Sequence, residues 1–217
     1  QAPPPWNNTN QIPQEDLLFS DFIDEQGDSI EVEMALVQLS NGGTNNTGTQ
    51  TGDDSGVYPD AVIQAYYYVN EFDIPFQFRL LNLDPGLAYD LTFFGSEFGF
   101  TPSFGYGIAS YSVGPETVTL FSDSNTTETV TIKNIMPDFQ NSILFEVDAS
   151  NDNGARWGFF NALVVDVHKS VETAFDNIPP TPPENLTAVD ITDVSLTLNW
   201  LESTDNNGVL GYEVYEK

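Results

Sequence analysis

The 217-residue chain has five Lys and Arg residues against 33 Asp and Glu residues, a formal net charge of −28 and a pI near 4.1. Such a surface repels nucleic-acid phosphates and anionic lipids, so we expect neither as a partner and expect soluble cations, above all calcium, instead. The apolar share of 40% supplies enough area to offset chain entropy, so the chain should fold. With no cysteine, disulfides, thiolate metal sites and cysteine nucleophiles are excluded.

The acidic, lysine-poor and Asn/Thr/Gly-rich composition is typical of secreted proteins. The first residue is Gln1, which fits removal of a signal peptide as well as a trimmed chain. No apolar run approaches the length needed to span a bilayer. We therefore predict an extracellular or cell-surface protein that does not span a membrane.

Short segments with alternating apolar and polar residues follow one another along the chain, and this period of two is typical of β-strands with one buried face. Turn clusters such as "LDPG", "SDSNTT" and "SNDNG" separate them. In "QAYYYVN", alternation places Tyr67 on the face opposite to Tyr66 and Tyr68. The other predicted strands are, in chain order, "SIEVEMAL", "PFQFRLLNL", "LAYDLTFF", "TVTLFS", "ETVTIKNI", "SILFEVDA" and "FFNALVVDV".

No stretch shows a convincing helical period, so we predict an all-β fold: a jelly-roll β-sandwich over residues 1–168. Four prolines between residues 179 and 183 lack the amide donor that a strand ladder needs, which predicts a proline-rich linker over 169–183. A second domain then begins at Glu184 and runs to Lys217.

Residues 184–217 resemble the first half of a fibronectin type III domain, an immunoglobulin-like sandwich. The resemblance is carried by Pro182 and Pro183, by Leu196 and Leu198 before Trp200, and by "GYEVY" at 211–215. It implies that Trp200 fills a sandwich core and that 184–217 is the beginning of a domain within a longer chain.

Residues 6–167 resemble galactose-binding-like and malectin-like β-sandwich modules of large secreted bacterial proteins. The motifs are "PWNNT", "FIDEQGDS", "SGVYPD", "LDPGLAYDLTFFGS", "IMPDFQNSILFEV" and "GFFNALVVDV". The resemblance implies a non-catalytic module appended to an enzyme or adhesin, with a glycan as ligand and calcium as a structural ion.

Glycan sites on sandwiches use aromatic faces for the sugar rings and polar groups for the hydroxyls. The loop "SEFGFTPSFGYG" combines glycines with aromatic residues and is the first such candidate. Arg156 beside Trp157 offers a second, although the arginine has many acidic residues to pair with instead. The candidate glycan-binding residues are Trp6, Phe100, Phe104, Tyr106, Arg156 and Trp157.

Calcium prefers six to eight oxygen ligands, which acidic turns supply, although no turn here has EF-hand spacing. The turns "TGDDSG" and "ASNDNG", and the two ends of the first domain, are the candidate positions, with solvated turn carboxylates as the alternative. The candidate ligands are Asp21, Asp24, Asp53, Asp54, Asp152 and Asp166.

Enzymatic motifs are weak. "GDSI" at 27–30 matches the nucleophile block of one esterase class, but the single histidine, His168, has Val165 where that class needs an aspartate. Sequons occur at Asn7, Asn45, Asn125 and Asn185, and glycosylation would depend on a eukaryotic source.

We therefore predict a non-catalytic extracellular binding or adhesion module whose partner is a carbohydrate or a cell-surface protein. The alternatives are a self-associating structural subunit of a fibre or surface assembly and an accessory region of a polysaccharide-degrading enzyme.

Overall fold

The computed structural model describes residues 4–7, 12–99, 105–151, 154–169, 180–205, 212 and 214. The chain divides into two compact units, Gln1–Ser170 and Val171–Lys217. Within the described ranges, no helix combines the length and apolar content that a membrane crossing requires.

The first unit is built almost entirely from strands, with one helical turn, α1 (Asp60–Ile63), that begins after Pro59. The strands are β1 (Leu18–Phe19), β2 (Glu33–Gln38), β3 (Gly43–Asn45), β4 (Tyr66–Asn70), β5 (Phe76–Leu81), β6 (Leu87–Phe94), β7 (Tyr106–Val113), β8 (Glu116–Phe121), β9 (Val130–Ile135), β10 (Ile143–Ala149), β11 (Ala155–Phe160) and β12 (Ala162–Lys169).

These strands form two sheets. The larger has the order β1-β2-β5-β10-β7-β11-β4-β3, with β8 also paired to β7. The smaller has the order β12-β6-β9. Pairing is antiparallel except between β7 and β11, which run parallel with a register shift. The all-β sandwich class predicted from the sequence is confirmed.

Alternation explains why each strand faces the core as it does. In β5 the buried residues Phe76, Phe78 and Leu80 alternate with half-buried polar or apolar neighbours. The neighbouring β10 places Phe145 directly beside Phe78 in the antiparallel register. The two rings stack with centroids 5.3 Å apart. Such pairs contribute about 0.5–1.5 kcal/mol beyond the burial of their area.

The sheets meet through aromatic rings. Phe93 of β6, in the smaller sheet, stacks on Tyr111 of β7, in the larger sheet, with centroids 4.6 Å apart. Phe93 also contacts Phe145 at 5.5 Å, and Phe160 of β11 packs against the same group. Phe93, Tyr111 and Phe145 have no exposed surface. This aromatic layer is the core of the sandwich.

The short strands β1 and β3 and the helical turn α1 add to the predicted elements, and two further differences concern the larger sheet. The segment "FFNALVVDV" is two strands of different sheets, because Asn161 interrupts it between β11 and β12. Its side chain bonds main-chain groups of Ser96 and Ile63 across the end of the sandwich. Second, β7 lies at the centre of the larger sheet, in a segment for which no strand is predicted.

The second unit contains a two-stranded antiparallel hairpin, β13 (Glu184–Val189) and β14 (Thr197–Leu201). The Trp200 ring contacts the Tyr212 ring edge-on, with centroids 5.2 Å apart. The Tyr212 hydroxyl accepts the Ser203 N–H at 2.7 Å. Apolar side chains of this hairpin, including Leu186 and Leu196, are exposed.

Candidate functional site: an aromatic face beside a buried acid pair

The tyrosines of β4 divide between two faces, as alternation predicts. Tyr67 packs into the core against Phe76 and Phe78, with ring centroids 5.7 and 5.8 Å away. Tyr66 and Tyr68 lie on the opposite face and contact each other at 6.3 Å. The predicted alternation in β4 is therefore confirmed, and Tyr66 and Tyr68 form part of an aromatic surface on the face of the sheet that points away from the core.

The aromatic face consists of Tyr66 and Tyr68 of β4 with Trp157 and Phe159 of β11. Antiparallel pairing sets Phe159 opposite Tyr68 and Trp157 opposite Asn70. The rings contact edge-on, with Tyr66 and Phe159 5.3 Å apart and Tyr68 and Trp157 5.9 Å apart. Tyr66 and Phe159 are buried, whereas Tyr68 and Trp157 are half-buried. One end of the face is thus sealed and the other is accessible.

Arg156 precedes Trp157 on β11 and pairs with an acid. Its Nε atom lies 3.5 Å from Glu71 Oε1, and its side chain is 56% exposed. The aliphatic part lies against Gly105, where a Cβ would come within 2.4 Å of it and where φ is +85°. Of the two roles open to Arg156 from the sequence, the structure therefore shows acid pairing. An exposed pair of this kind contributes little stability, about 0–1 kcal/mol.

Tyr106 begins β7 at the same end of the sheet. Its N–H donates to the Gly154 carbonyl at 2.8 Å, and the parallel register pairs it with Ala155. The ring is exposed and contacts the exposed ring of Phe121, with centroids 6.1 Å apart. Three of the candidate glycan-binding residues, Tyr106, Arg156 and Trp157, are therefore brought to one end of the larger sheet.

The remaining aromatic candidates do not join this group. Trp6 is half-buried and packs edge-on against Tyr58 at 4.8 Å. Tyr58 in turn contacts the buried Phe94 at 5.4 Å, so Trp6 belongs to a small secondary core. Phe100 and Phe104 lie outside the described residues.

A buried acid pair adjoins the aromatic face and was not found from the sequence. Glu97 is 7% exposed, and a parallel bridge joins it to the half-buried Asp123. Burial raises the pKa of Glu97 to about 7, opposed by hydrogen bonds from Thr47 and from the Phe98 N–H and reinforced by the Asp123 charge. Burial also raises the pKa of Asp123, opposed by a hydrogen bond from the Gly107 N–H. In a chain with 33 acids, no sequence signal distinguishes these two.

Several of the candidate calcium ligands accept main-chain hydrogen bonds within turns. Asp24 accepts the N–H groups of Gln26 and Asp28, both at 2.9 Å. Asp53 accepts the Ser55 N–H, and Asp54 accepts the Asp60 N–H.

Of the other candidates, Asp21 is exposed at positive φ, and Asp166 is exposed on β12 opposite Asp90. Asp152 lies outside the described residues. Among the residues that are described, no three His, Asp or Glu side chains come together to hold a metal. Structural calcium stays a prediction from the resemblance.

His168 has a structural partner of its own. Its Nε2 atom lies 3.0 Å from Asp90 Oδ1, and this hydrogen bond raises the pKa of the imidazole. Burial alone would raise the pKa of Asp90, but hydrogen bonds from His168 and from the Asn134 N–H lower it. The pair links β12 to β6 on the smaller sheet.

Comparison with known proteins finds partial matches to two bacterial chitinases. Chitinase Chi52 of Paenibacillus xylanexedens is 58% identical over 40 residues, which is 18% of this chain and 8% of the relative. Chitinase A1 of Niallia circulans is 38% identical over 74 residues, 34% of this chain and 10% of the relative. The chain thus spans a tenth or less of the length of these relatives. No family model and no solved structure matches the chain.

Proposed function

We propose that the first unit is a non-catalytic carbohydrate-binding module of a secreted polysaccharide-degrading enzyme. The carrying observation is the aromatic face, with its accessible end at Tyr68 and Trp157. The similarity to two chitinases supports placing the module in such an enzyme. Chitin, as the polymer named in those relatives, is the first ligand to test.

The geometry suits sugar binding because the rings are held by strands. Sugar rings present apolar C–H faces that stack on aromatic side chains, while polar groups nearby fix the hydroxyls. Tyr68 and Trp157 are each braced edge-on by a neighbouring ring, so little side-chain entropy remains to be lost on binding. The exposed pair Tyr106 and Phe121 adds apolar surface at the same end of the sheet.

Charge favours an uncharged glycan. The chain carries a net charge of −28, and Arg156, the cation beside Trp157, is paired with Glu71. An anionic polysaccharide would therefore meet repulsion without a free cation here to offset it. A neutral polymer such as chitin avoids this cost.

The second unit fits the same architecture. Its antiparallel hairpin of β13 and β14, and the contact of the Trp200 ring with the Tyr212 ring, agree with the fibronectin type III resemblance of residues 184–217. We infer that this unit is a spacer of fibronectin type III kind shared with such enzymes, and that the module acts outside the cell.

Binding of the 217-residue chain to insoluble chitin, with cellulose and pectin in parallel, tests the proposal. Trp157→Ala combined with Tyr106→Ala removes the accessible indole of the aromatic face and one exposed ring at the same end of the sheet, and should weaken chitin binding by about tenfold, since each stacking contact contributes about 0.5–1.5 kcal/mol. Phe139→Ala is the matched control, because Phe139 is 95% exposed and lies in the turn between β9 and β10. Equal loss in both variants, or no binding by the parent chain to any polysaccharide, would refute the proposal.

A structural role in a surface assembly is the second candidate. The observation in its favour is that β12, eight residues long, lies at the end of the smaller sheet with Val167 exposed. Unpaired end strands promote self-association, although the charges of Asp166 and Lys169 on β12 oppose it. Light scattering decides: concentration-dependent oligomers without glycan binding would favour this role over the first.

A further inference from the structure

Glu97 is a buried acid that the proposed glycan-binding surface does not itself use. It follows β6, and its main chain is fixed on both sides: the Glu97 N–H donates to the Ser122 carbonyl, and the Glu97 carbonyl accepts the Ser124 N–H. The side chain is therefore held between the connection after β6 and the connection after β8. Its carboxyl group points toward a third segment, the connection between β3 and β4.

That third segment contributes Thr47, whose hydroxyl lies between Glu97 and the aromatic face. Thr47 Oγ1 is 3.1 and 3.2 Å from the two Glu97 carboxyl oxygens and 2.9 Å from the Tyr66 hydroxyl. The Tyr66 ring contacts Phe159 and Tyr68. A continuous hydrogen-bond chain thus runs from a buried acid to the sealed end of the aromatic face.

The direction of the hydrogen bonds from Glu97 through Thr47 to Tyr66 depends on whether the Glu97 carboxyl group carries a proton. A threonine hydroxyl donates one hydrogen bond and accepts others, and an ionised carboxylate can only accept. With Glu97 ionised, Thr47 donates to Glu97 and accepts from the Tyr66 hydroxyl. With Glu97 protonated, Glu97 can donate to Thr47, whose own proton then turns toward Tyr66.

Both protonation states are accessible to the folded protein near neutral pH. Burial raises the pKa of Glu97 to about 7. The charged group that acts on it is Asp123, which disfavours ionisation, while the packed segment between β3 and β4 contributes the Thr47 hydroxyl, which favours it by a hydrogen bond. Ionising Glu97 therefore places a second negative charge beside Asp123 in a poorly solvated position, which weakens the packing of the three segments.

We infer that Glu97 is a positioning residue of the aromatic face, which couples the affinity for an uncharged glycan to pH through Thr47 and Tyr66. This inference rests on the proposed function. The protonated form keeps the three segments together and the Tyr66 ring fixed, and is the tight-binding form. The ionised form loosens the sealed end of the face and binds more weakly.

The experiment measures chitin affinity of the full chain between about pH 5.5 and about pH 8.5, a range that spans the folded-state pKa. The parent chain should bind about fivefold more weakly at the upper end, which corresponds to about 1 kcal/mol of binding free energy. Glu97→Gln, a neutral isostere, should keep its affinity across the range. Thr47→Val, which removes the hydrogen-bonding hydroxyl between Glu97 and Tyr66 but keeps the acid, should also lose the pH dependence of the affinity. Parallel pH profiles of the parent and both variants would overturn the coupling.

A readout without glycan separates this inference from the proposed function. Because the folded-state pKa of Glu97 lies above its usual value of 4.5, its contribution to stability is complete below about pH 4.5 and lost as pH rises through about 7. Carbon NMR of the Glu97 carboxyl should therefore titrate near pH 7, and the Tyr66 ring signals should move with it. If Glu97 titrates near pH 7 and the Tyr66 signals move with it, but the protein binds no glycan, the proposed glycan-binding function is refuted and the coupling of Glu97 to Tyr66 is upheld. Glycan binding with a Glu97 titration near pH 4.5 would refute the coupling alone.

Discussion

Asn125 offers a sharp test of how the loops at one end of the sandwich are held. It is 7% exposed and lies in the connection between β8 and β9. Its Nδ2 atom donates to the carbonyls of Gly95 at 3.0 Å and Glu128 at 2.9 Å. Its Oδ1 atom accepts the N–H groups of Thr127 at 3.2 Å and Glu128 at 2.9 Å. One side chain thus fixes its own turn and ties it to the residue after β6.

The cost of Asn125→Ala follows from these four bonds. The bond to the Gly95 carbonyl is buried, and leaving that acceptor unsatisfied costs about 1–3 kcal/mol. The bonds to Thr127 and Glu128 are partly exposed, so water replaces them at a net loss of about 0.5 kcal/mol each. We expect a total near 3 kcal/mol, and a fall of about 6–12 °C in Tm for a unit of this size.

Thermal and urea unfolding of the 217-residue chain measures this effect. Asn46→Ala, at an exposed loop position, is the control and should change stability by less than about 0.5 kcal/mol. Asn125→Asp keeps an acceptor oxygen at Oδ1 but loses the Nδ2 donor, so it should also destabilise. A fall in Tm of under 1 °C for Asn125→Ala would refute the reasoning. A glycan attached to Asn125 in the folded protein would also refute it, because the Nδ2 atom already donates two internal hydrogen bonds.

Two further predictions concern other parts of the first unit. The pKa of His168 is raised in the folded state by its hydrogen bond to Asp90, so the stability from this bond is complete below the unfolded histidine pKa near 6.5 and is lost as pH rises through the folded pKa. The Tm difference between the parent and Asp90→Asn should therefore shrink from about pH 6 to about pH 8. A Tm difference that stays constant over this range would contradict the prediction. Gly158→Ala should destabilise by about 1–3 kcal/mol in urea unfolding, because the new Cβ would lie 2.1 Å from the Asp148 carbonyl oxygen, a main-chain atom that cannot easily move. An unchanged urea midpoint would contradict the close approach of β10 and β11.

The strands were largely predictable because the two-residue period survives in the sequence wherever one face is buried. Phe76 and Phe78 of β5 show it, and so does the division of Tyr66, Tyr67 and Tyr68 in β4. The break at Asn161 was not predictable, since apolar residues continue on both sides of it. What separates β11 from β12 is a set of side-chain bonds to Ser96 and Ile63, which are distant in sequence.

The candidate site was predictable only in part, for a similar reason. Trp157 and Tyr106 stand out as aromatic residues beside turns, but only the parallel pairing of β7 with β11 brings them to one end of the sheet. Burial of Glu97 and Asp123 depends on three connections closing over them, a property of the fold that composition does not encode. Trp6 is a candidate glycan-binding residue from the sequence just as Trp157 is, but in the structure it packs against Tyr58 in a secondary core.

Indole NMR signals test the central proposal most directly, because the chain has three tryptophans in three different settings. Titrating a soluble chitin oligosaccharide should shift the Trp157 indole N–H signal in a saturable manner. The signals of Trp6, in its secondary core, and of Trp200, in the second unit, should stay in place. An unmoved Trp157 at saturating oligosaccharide, or a shift confined to Trp6 or Trp200, would contradict glycan binding at the aromatic face.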